Sequence, residues 1–460
     1  MCGKYIIKAT IVQAGVKFGD VEIHENSFIG VNEETGKIEF ITQDGESPLV
    51  KDLLTAGAKL TVIAPPKFII PGFIDAHIHA PQYSFTGVGT NIPLLDWLNN
   101  FTFPFESKFS KLDFARAVYE KVVQRTLACG TTTASYFATV HEEATLELAR
   151  ICARRGQRAF IGKVNMDRNS PDFYCDKSTS DSVKVTESVI EGIRAMNSPI
   201  VAPIITPRFV PTCTAELMTS LGKIAAQNND VISSAKELAI QSHVSENKSE
   251  IGWVAELHPE CDSYTNVYER YGLLTRRTIL AHGIHLLTSE IETFARVGAS
   301  IVHCPLSNFS LTSGVCPVRK WVNSGVHVAL GTDVCGGGSP SMHNAMKNAI
   351  IASQVTFIEN SDSKDEKVKA DSLPLGWKEA LYLATRGGAY ALDIEDVAGA
   401  LEAGKDFDAL VIDPEPECDR LFDTFGWESV EQIAEKYVIV GDDRNIAKVF
   451  VHGREVVSKY

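Results

Sequence analysis

The chain has no basic excess: 44 Lys and Arg stand against 58 Asp and Glu, which leaves 44 − 58 = −14. Proteins that grip nucleic-acid backbones or anionic membranes need a basic face, so this balance argues against both partners. No apolar run approaches the roughly 20 residues of a membrane span. The opening Met1-Cys-Gly-Lys-Tyr-Ile lacks a basic region followed by a hydrophobic stretch, so no secretory signal is expected. The ten cysteines form no C-x-x-C pair, and they read as free thiols in a reducing, cytoplasmic setting. No G-x-G-x-x-G follows an early strand, which weakens a dinucleotide-binding sheet. No G-x-S-x-G occurs, which argues against a serine hydrolase, and Gly336–Gly338 lacks the lysine of a phosphate loop. What remains is ordinary globular usage over 460 residues, 44% apolar and 22% charged, enough for a sizeable core.

Residues 1–66 read as short strands and turns, with Tyr5–Val12, Ser27–Val31 and Lys37–Thr42 as strands. From Phe68 onward, apolar strands alternate with amphipathic helical stretches. The strand candidates are Phe68–Ile74, Thr131–Phe137, Arg158–Val164, Ile200–Thr206, Leu238–His243, Thr278–Ala281, Ser300–His303 and Val326–Gly331. Helices are expected between them, over Asp113–Ala128, Glu142–Arg155, Asp181–Ala195 and Ala215–Gln227. Such alternation predicts an α/β fold, a (β/α)8 barrel over residues 67–395. Strand texture returns at Asp406–Ile412 and Ala447–Val457. A small β-sandwich domain is therefore expected from both chain ends, residues 1–66 and 396–460. The polar stretch Glu359–Lys369 reads as an exposed loop.

Chemistry concentrates where apolar strands stop. In Pro71-Gly-Phe-Ile-Asp-Ala-His77-Ile-His79 two histidines lie at i and i+2, so both project from one face of a strand. At the end of a first barrel strand that face is the mouth, where active sites lie, and two such nitrogens suit zinc or a similar ion. H-x-H alone would equally fit two surface histidines. Three further strand ends carry ligand types: Gln241-Ser-His243-Val-Ser-Glu246, Leu280-Ala-His282 and Leu330-Gly-Thr-Asp333. Singly, His282 could be a core histidine and Asp333 a helix cap. If the strands form one barrel, the ends of strands one, five, six and eight converge on a single mouth, and ligand types at all four argue for a metal site there rather than for chance.

This constellation resembles the amidohydrolase superfamily along almost the whole chain, including Gly399-Ala-Leu-Glu-Ala-Gly-Lys-Asp-Phe-Asp408. Two-metal members carry a bridging lysine at the fourth strand end. Here Pro207-Arg208-Phe209 stands instead, so the resemblance implies the one-metal type, with His77, His79, His243 and Asp333 on one Zn2+. Within the superfamily, His79-Ala-Pro-Gln82-Tyr, Leu94-Leu-Asp-Trp97-Leu, Phe101-Thr-Phe-Pro104, Thr206-Pro-Arg208-Phe209, Ser242-His-Val-Ser-Glu246-Asn and Gly331-Thr-Asp-Val are similar to the guanine deaminase family. The implied substrates are guanine and water, and the implied assembly is a homodimer. Two departures stand out: Pro81 where the family more often has Ser, and a longer segment Asn228–Lys236.

Deamination of a purine needs water attack on an electron-poor ring carbon. Zinc lowers the pKa of a bound water from about 15.7 to near 7. Asp333 can bind the metal and take the water proton. Glu246 can protonate a ring nitrogen and then the leaving amine, unless it is merely a helix-start carboxylate. His282 is placed to orient or polarise the hydroxide. Arg208 offers a planar donor fork for a purine oxygen, Phe209 a stacking face, and Gln82 both a donor and an acceptor. A surface arginine and a core phenylalanine are the plainer readings of Arg208 and Phe209. His141-Glu-Glu143 matches the H-x-E of cytidine-deaminase-type zinc sites. It lacks the later P-C-x-x-C, and it reads as a helix start. His303-Cys304-Pro305-Leu-Ser-Asn308 is expected to line the mouth. The rivals are an aminohydrolase for another purine, pterin or triazine, and a non-catalytic scaffold. The retained ligand set argues against the scaffold.

Overall fold

The computed structural model describes residues 3–89, 92–233, 235–416 and 421–459. Eight parallel strands run around one ring. The first is Phe73–His79, followed by Thr131–Phe137 and then Arg158–Gly162 with its continuation Val164–Asn165. The fourth is Val201–Pro203 with Thr206–Pro207, and the fifth to eighth are Ile240–Val244, Thr278–His282, Ser300–His303 and His327–Leu330. Neighbours pair in parallel register from the first strand to the fourth and from the fifth to the eighth. The Ile205 N–H donates to Ala239 and the Gln241 N–H to Ile205, joining the fourth strand to the fifth. The ring closes where the Asp333 N–H donates to His77 and the His79 N–H to Val334. This is the expected barrel.

Helices expected between the strands form at Leu112–Ala128, Glu142–Arg155, Thr179–Ala195 and Ala215–Gln227. Glu142–Arg155 shows why the sequence folds this way. His141 stands at its N-cap, Glu142 and Glu143 occupy its first turn, Arg154 and Arg155 its last, and Gly156 ends it at φ 78°. Leu148, Ile151 and Cys152 face the core. In the polar stretch 359–369 a loop gives way partly to helix. Met342–Asn360 extends into it, and Asp365 caps Glu366–Asp371 by accepting the Lys367 and Val368 N–H groups. These residues are largely exposed. In the segment 228–236, Asp230 accepts the Ile232 and Ser233 N–H groups and pairs with Arg277, while Ser234 lies outside the described residues.

Both chain ends build one further unit. Its sheet runs Arg454–Ser458, Ile446–Val451, Ala409–Ile412, Phe68–Pro71, Lys4–Ala14, Val21–Asn32 and Ile38–Thr42, with Lys59–Val62 alongside Lys4–Ala14. The ladder is continuous and packs around Ile7, Ile29, Ile38, Ile69, Phe407 and Val411. The strand candidate Phe68–Ile74 divides at Gly72. Its first half pairs with Ala409–Ile412 in this sheet, and its second half starts the barrel. A Cβ on Gly72 would fall 2.2 Å from the Thr132 hydroxyl oxygen, so the turn between the two layers excludes any larger residue. Ala447–Val457 likewise divides, at His452-Gly453, into a hairpin.

Arg158, fully buried at the start of the third barrel strand, ties the two units together. Its guanidinium meets Asp406 at 2.8 Å and Asp408 at 3.1 Å, and His452 Nδ1 reaches Asp406 at 2.7 Å. Removing one partner of such a buried set strands the opposite charges. Arg158→Met is expected to lower unfolding free energy by about 3–5 kcal/mol in a denaturant titration. An unchanged midpoint would show that the set is not needed to hold the units together.

Candidate active site

The barrel mouth gathers all nine residues singled out from the sequence. His79, Gln82, Arg208, Phe209, His243, Glu246, His282 and Asp333 line one cleft of about 400 Å³, together with Leu94, Trp97, Leu98, Glu250 and Leu311. His77 packs against the lining histidines, its ring 4.7 Å from His243 and 5.0 Å from His79 by centroids.

Close backbone approach makes the cluster. A Cβ on Gly331 would stand 2.8 Å from the His77 Cβ, so only glycine lets the eighth strand lie against the first. Two residues on, Asp333 delivers Oδ1 to 3.3 Å from His77 Nε2 and 3.5 Å from His79 Nε2. Three non-glycine residues at strand ends, Ser245, His282 and Asp333, hold positive φ of 48°, 75° and 47°. Each such conformation costs on the order of 1–3 kcal/mol and persists where surrounding structure demands it.

Hydrogen bonds then fix how each ring faces. His243 Nδ1 lies 2.7 Å from the Arg208 carbonyl, which makes that nitrogen the N–H and turns Nε2 toward His79 Nε2, 3.2 Å away. His282 Nδ1 meets Asn308 Oδ1 at 2.9 Å, leaving Nε2 3.3 Å from Glu246 and 3.8 Å from Asp333. Asp75 accepts from the Thr332 N–H and hydroxyl and from the His77 N–H. Burial pushes the Asp75 carboxyl up to about 7.

Electrostatics divide the groups. Burial, and then the neighbouring His77, holds His79 and His243 well below the usual histidine range. Against its burial, Glu246 and Asp333 hold His282 above it. Asp333 is held low, despite burial, by the imidazoles around it. Burial pushes Glu246 up to about 7, with His282 opposing, and Ser313 donates to its Oε1 at 3.2 Å. Two neutral imidazoles, an ionised carboxylate and a carboxyl near neutrality are the parts of an acid–base site.

The donor set fits a divalent cation. Ligand atoms of His77, His243 and His282 lie within 4.8 Å of one another, as do those of His77, Cys304 and Asp333. His77 Nε2 is buried and makes no well-aligned hydrogen bond, with Asp333 Oδ1 3.3 Å away, so the two face each other as a pair of donors to one cation would. The arrangement of His243, with its second nitrogen held by a carbonyl, is the usual way a ligand imidazole is oriented. Cys304 is the weaker donor, because burial holds its thiol well above the ordinary range.

Arg208 is 3% exposed and pairs with Glu106, which the sequence reading missed. Glu106 follows the aromatic run Phe101–Phe105, and only the tertiary fold brings it to Arg208. Ser313 was missed for the same reason. Of His303–Asn308, it is Asn308 that serves the site, through His282; His303 is buried and stands outside the cleft lining. Pro81 is buried in the 3-10 turn Ala80–Phe85 that carries Gln82.

Known proteins share this architecture. Residues 68–456 match the amidohydrolase family. A guanine deaminase of Dictyostelium discoideum is 42% identical over 98% of both chains. A guanine deaminase of Homo sapiens is 41% identical over 95% of this chain and 93% of its own. The crystal structure of a guanine deaminase from C. acetobutylicum, with guanine bound in the active site, is 36% identical. It superposes with a TM-score of 0.86 over 99% of this chain and 100% of that one. With a family match over residues 68–456 and relatives more than 40% identical along nearly their whole length, the chain belongs to the amidohydrolase family.

Proposed function

We propose that the chain is a guanine deaminase, converting guanine and water to xanthine and ammonia. One observation carries this reading. A cleft walled by Gln82, Arg208 and Phe209 opens onto the imidazole–carboxylate cluster in a chain 42% identical to a guanine deaminase along 98% of both. Arg208 donates to the purine 6-oxo group and Gln82 to the adjoining ring edge. Phe209, with Trp97 and Leu98, packs the ring faces. This orientation turns C2 and its amino group toward His79, His243, Glu246 and Asp333.

The metal assigned is Zn2+, one per chain, held by His77, His79, His243 and Asp333. Support comes from His77 Nε2 facing Asp333 Oδ1 at 3.3 Å and from the His79 and His243 nitrogens facing each other at 3.2 Å. When bound, the ion supplies Lewis acidity that lowers the pKa of water from about 15.7 toward 7. Asp333 accepts the proton of the attacking water, and His282 orients that water with Nε2. Glu246 protonates a ring nitrogen beside C2, takes up the proton that Asp333 drew from the water, and passes it to the departing amine; as the C2–N bond breaks, the new C2 hydroxyl returns a proton to Glu246 and becomes the carbonyl. The compartment assigned is the cytoplasm, where the free, buried thiols of Cys129, Cys152, Cys213 and Cys316 stay reduced. Among the described residues no helix is long and apolar enough to cross a membrane. The assembly assigned is a homodimer. Ile351 and Ile358, one face of a long helix, are 49% and 69% exposed and suit self-association.

Substrate reading can be tested at Arg208. Arg208→Ala is expected to lower kcat/KM for guanine by about 1.5–3 kcal/mol, the range for a hydrogen bond to a charged group. It also leaves Glu106 buried without its partner, so stability falls by about 3–5 kcal/mol. Steady-state kinetics and a denaturant titration on one preparation separate the two losses. Guanine turnover equal to that of the unsubstituted protein would reduce Arg208 to a structural residue.

A further inference from the structure

Glu106 is 0% exposed, and its carboxylate is saturated. Oε2 accepts from Arg208 Nη1 at 2.8 Å and from the Tyr174 hydroxyl at 2.6 Å. Oε1 accepts from Gln82 Nε2 at 2.9 Å and from Arg208 Nη2 at 3.3 Å. A carboxylate offers about four lone-pair sites, and all are used. Glu106 does not line the cleft, whereas Arg208 and Gln82 both do.

Each bond removes a freedom from a residue that faces the cleft. The two-point contact with Arg208 fixes the plane of the guanidinium, which also lies over the Phe103 ring at 5.4 Å. For Gln82 the effect is sharper. Its amide touches Glu106 on one side and the Cys335 N–H, at 3.1 Å, on the other. An ionised carboxylate only accepts and a backbone N–H only donates, so one amide orientation satisfies both. That orientation spends the Gln82 oxygen on Cys335 and leaves Nε2 with a spare N–H. Beside it, the guanidinium offers its own remaining N–H groups. The wall formed by the two is therefore a donor wall. It suits a ring edge bearing acceptors and leaves an amino group at that edge facing other donors.

From this saturated carboxylate we infer that Glu106 is the positioning residue that sets substrate preference. It locks Arg208 and Gln82 as donors, so that the cleft selects purines bearing an oxo group at the edge they face. The inference rests on the proposed guanine deaminase activity. Tyr174, 1% exposed, is the outer clamp, holding Glu106 Oε2 from the side away from Gln82. Tyr174 is itself fixed in the segment whose Asp176 takes the buried Lys163 ammonium at 2.6 Å.

The test compares guanine with 2-aminopurine, which keeps the 2-amino group and lacks the 6-oxo group. In Glu106→Gln the residue at 106 can donate as well as accept, so only the Cys335 N–H still holds the Gln82 amide in its orientation, and the guanidinium loses its charged anchor. The expected result is a fall in kcat/KM for guanine of about 10- to 100-fold, carried mainly by KM. The preference for guanine over 2-aminopurine falls by a similar factor, and metal content is unchanged. Tyr174→Phe removes one hydroxyl from a folded protein. It should shift the same ratio in the same direction by a smaller factor, about tenfold or less. The thermal midpoint is read on each variant. Equal losses on both substrates, or an unchanged ratio in Tyr174→Phe and in folded Glu106→Gln, would overturn the inference and leave Glu106 a structural ion-pair partner. Absence of guanine turnover by the unsubstituted protein would overturn the functional reading, and the inference with it.

Discussion

Glu246→Gln is expected to lower kcat by at least about 100-fold while metal content stays near one per chain. General acid–base catalysis contributes about 10²–10⁴-fold, and the substitution removes the titrating proton while keeping shape and hydrogen-bonding reach. Two features put the proton on Glu246. It stands 3.3 Å from His282 and lines the cleft, and burial pushes its carboxyl up to about 7, where it can both give and take a proton at neutral pH. Its backbone is held independently of its carboxyl, because Glu250 accepts the Glu246 and Asn247 N–H groups. The substitution therefore leaves the loop in place. Elemental analysis and single-turnover rates on one preparation check this. A surviving rate would move the shuttle elsewhere, with His282 the next group to test. Loss of metal along with the rate would make Glu246 a support of the metal centre.

His77→Ala should abolish guanine turnover and metal binding together, whereas the unsubstituted protein should carry about one zinc per chain. His77 touches every member of the cluster: His79, His243 and His282 by ring contact, and Asp333 at 3.3 Å. With three imidazoles and one carboxylate reduced to two imidazoles and one carboxylate, too few donors would remain to hold the ion. Full metal occupancy in folded His77→Ala, or two tightly held ions in the unsubstituted protein, would contradict the assigned ligand set.

Much of this was legible in the chain itself, for definable reasons. Strand periodicity placed His77 and His79 on one face, and the apolar runs ending at His243, His282 and Asp333 marked the barrel mouth. The helix Glu142–Arg155 could be read to the residue because charge, cap and glycine agree. Phe68–Ile74 was misread as one strand because apolar continuity hides a change of sheet. Only the 2.2 Å approach at Gly72 shows the turn. Glu106 was illegible because a buried carboxylate and a solvated one look alike in sequence, and its partners Gln82, Tyr174 and Arg208 lie on three other segments. Asn308 was marked only as part of the His303–Asn308 strand end and Ser313 not at all, because their roles run through His282 and Glu246, which no local pattern shows.

The central claim is the reaction itself. The direct measurement is product identity for purified, metal-loaded protein given guanine, 8-oxoguanine, adenine, cytosine and pterin separately. Released ammonia is measured in each case. The account predicts one xanthine and one ammonia for each guanine consumed, with adenine a very poor substrate because it lacks both the 6-oxo group that Arg208 reads and an amino group at C2. No xanthine from guanine, or faster ammonia release from adenine, cytosine or pterin, would contradict it.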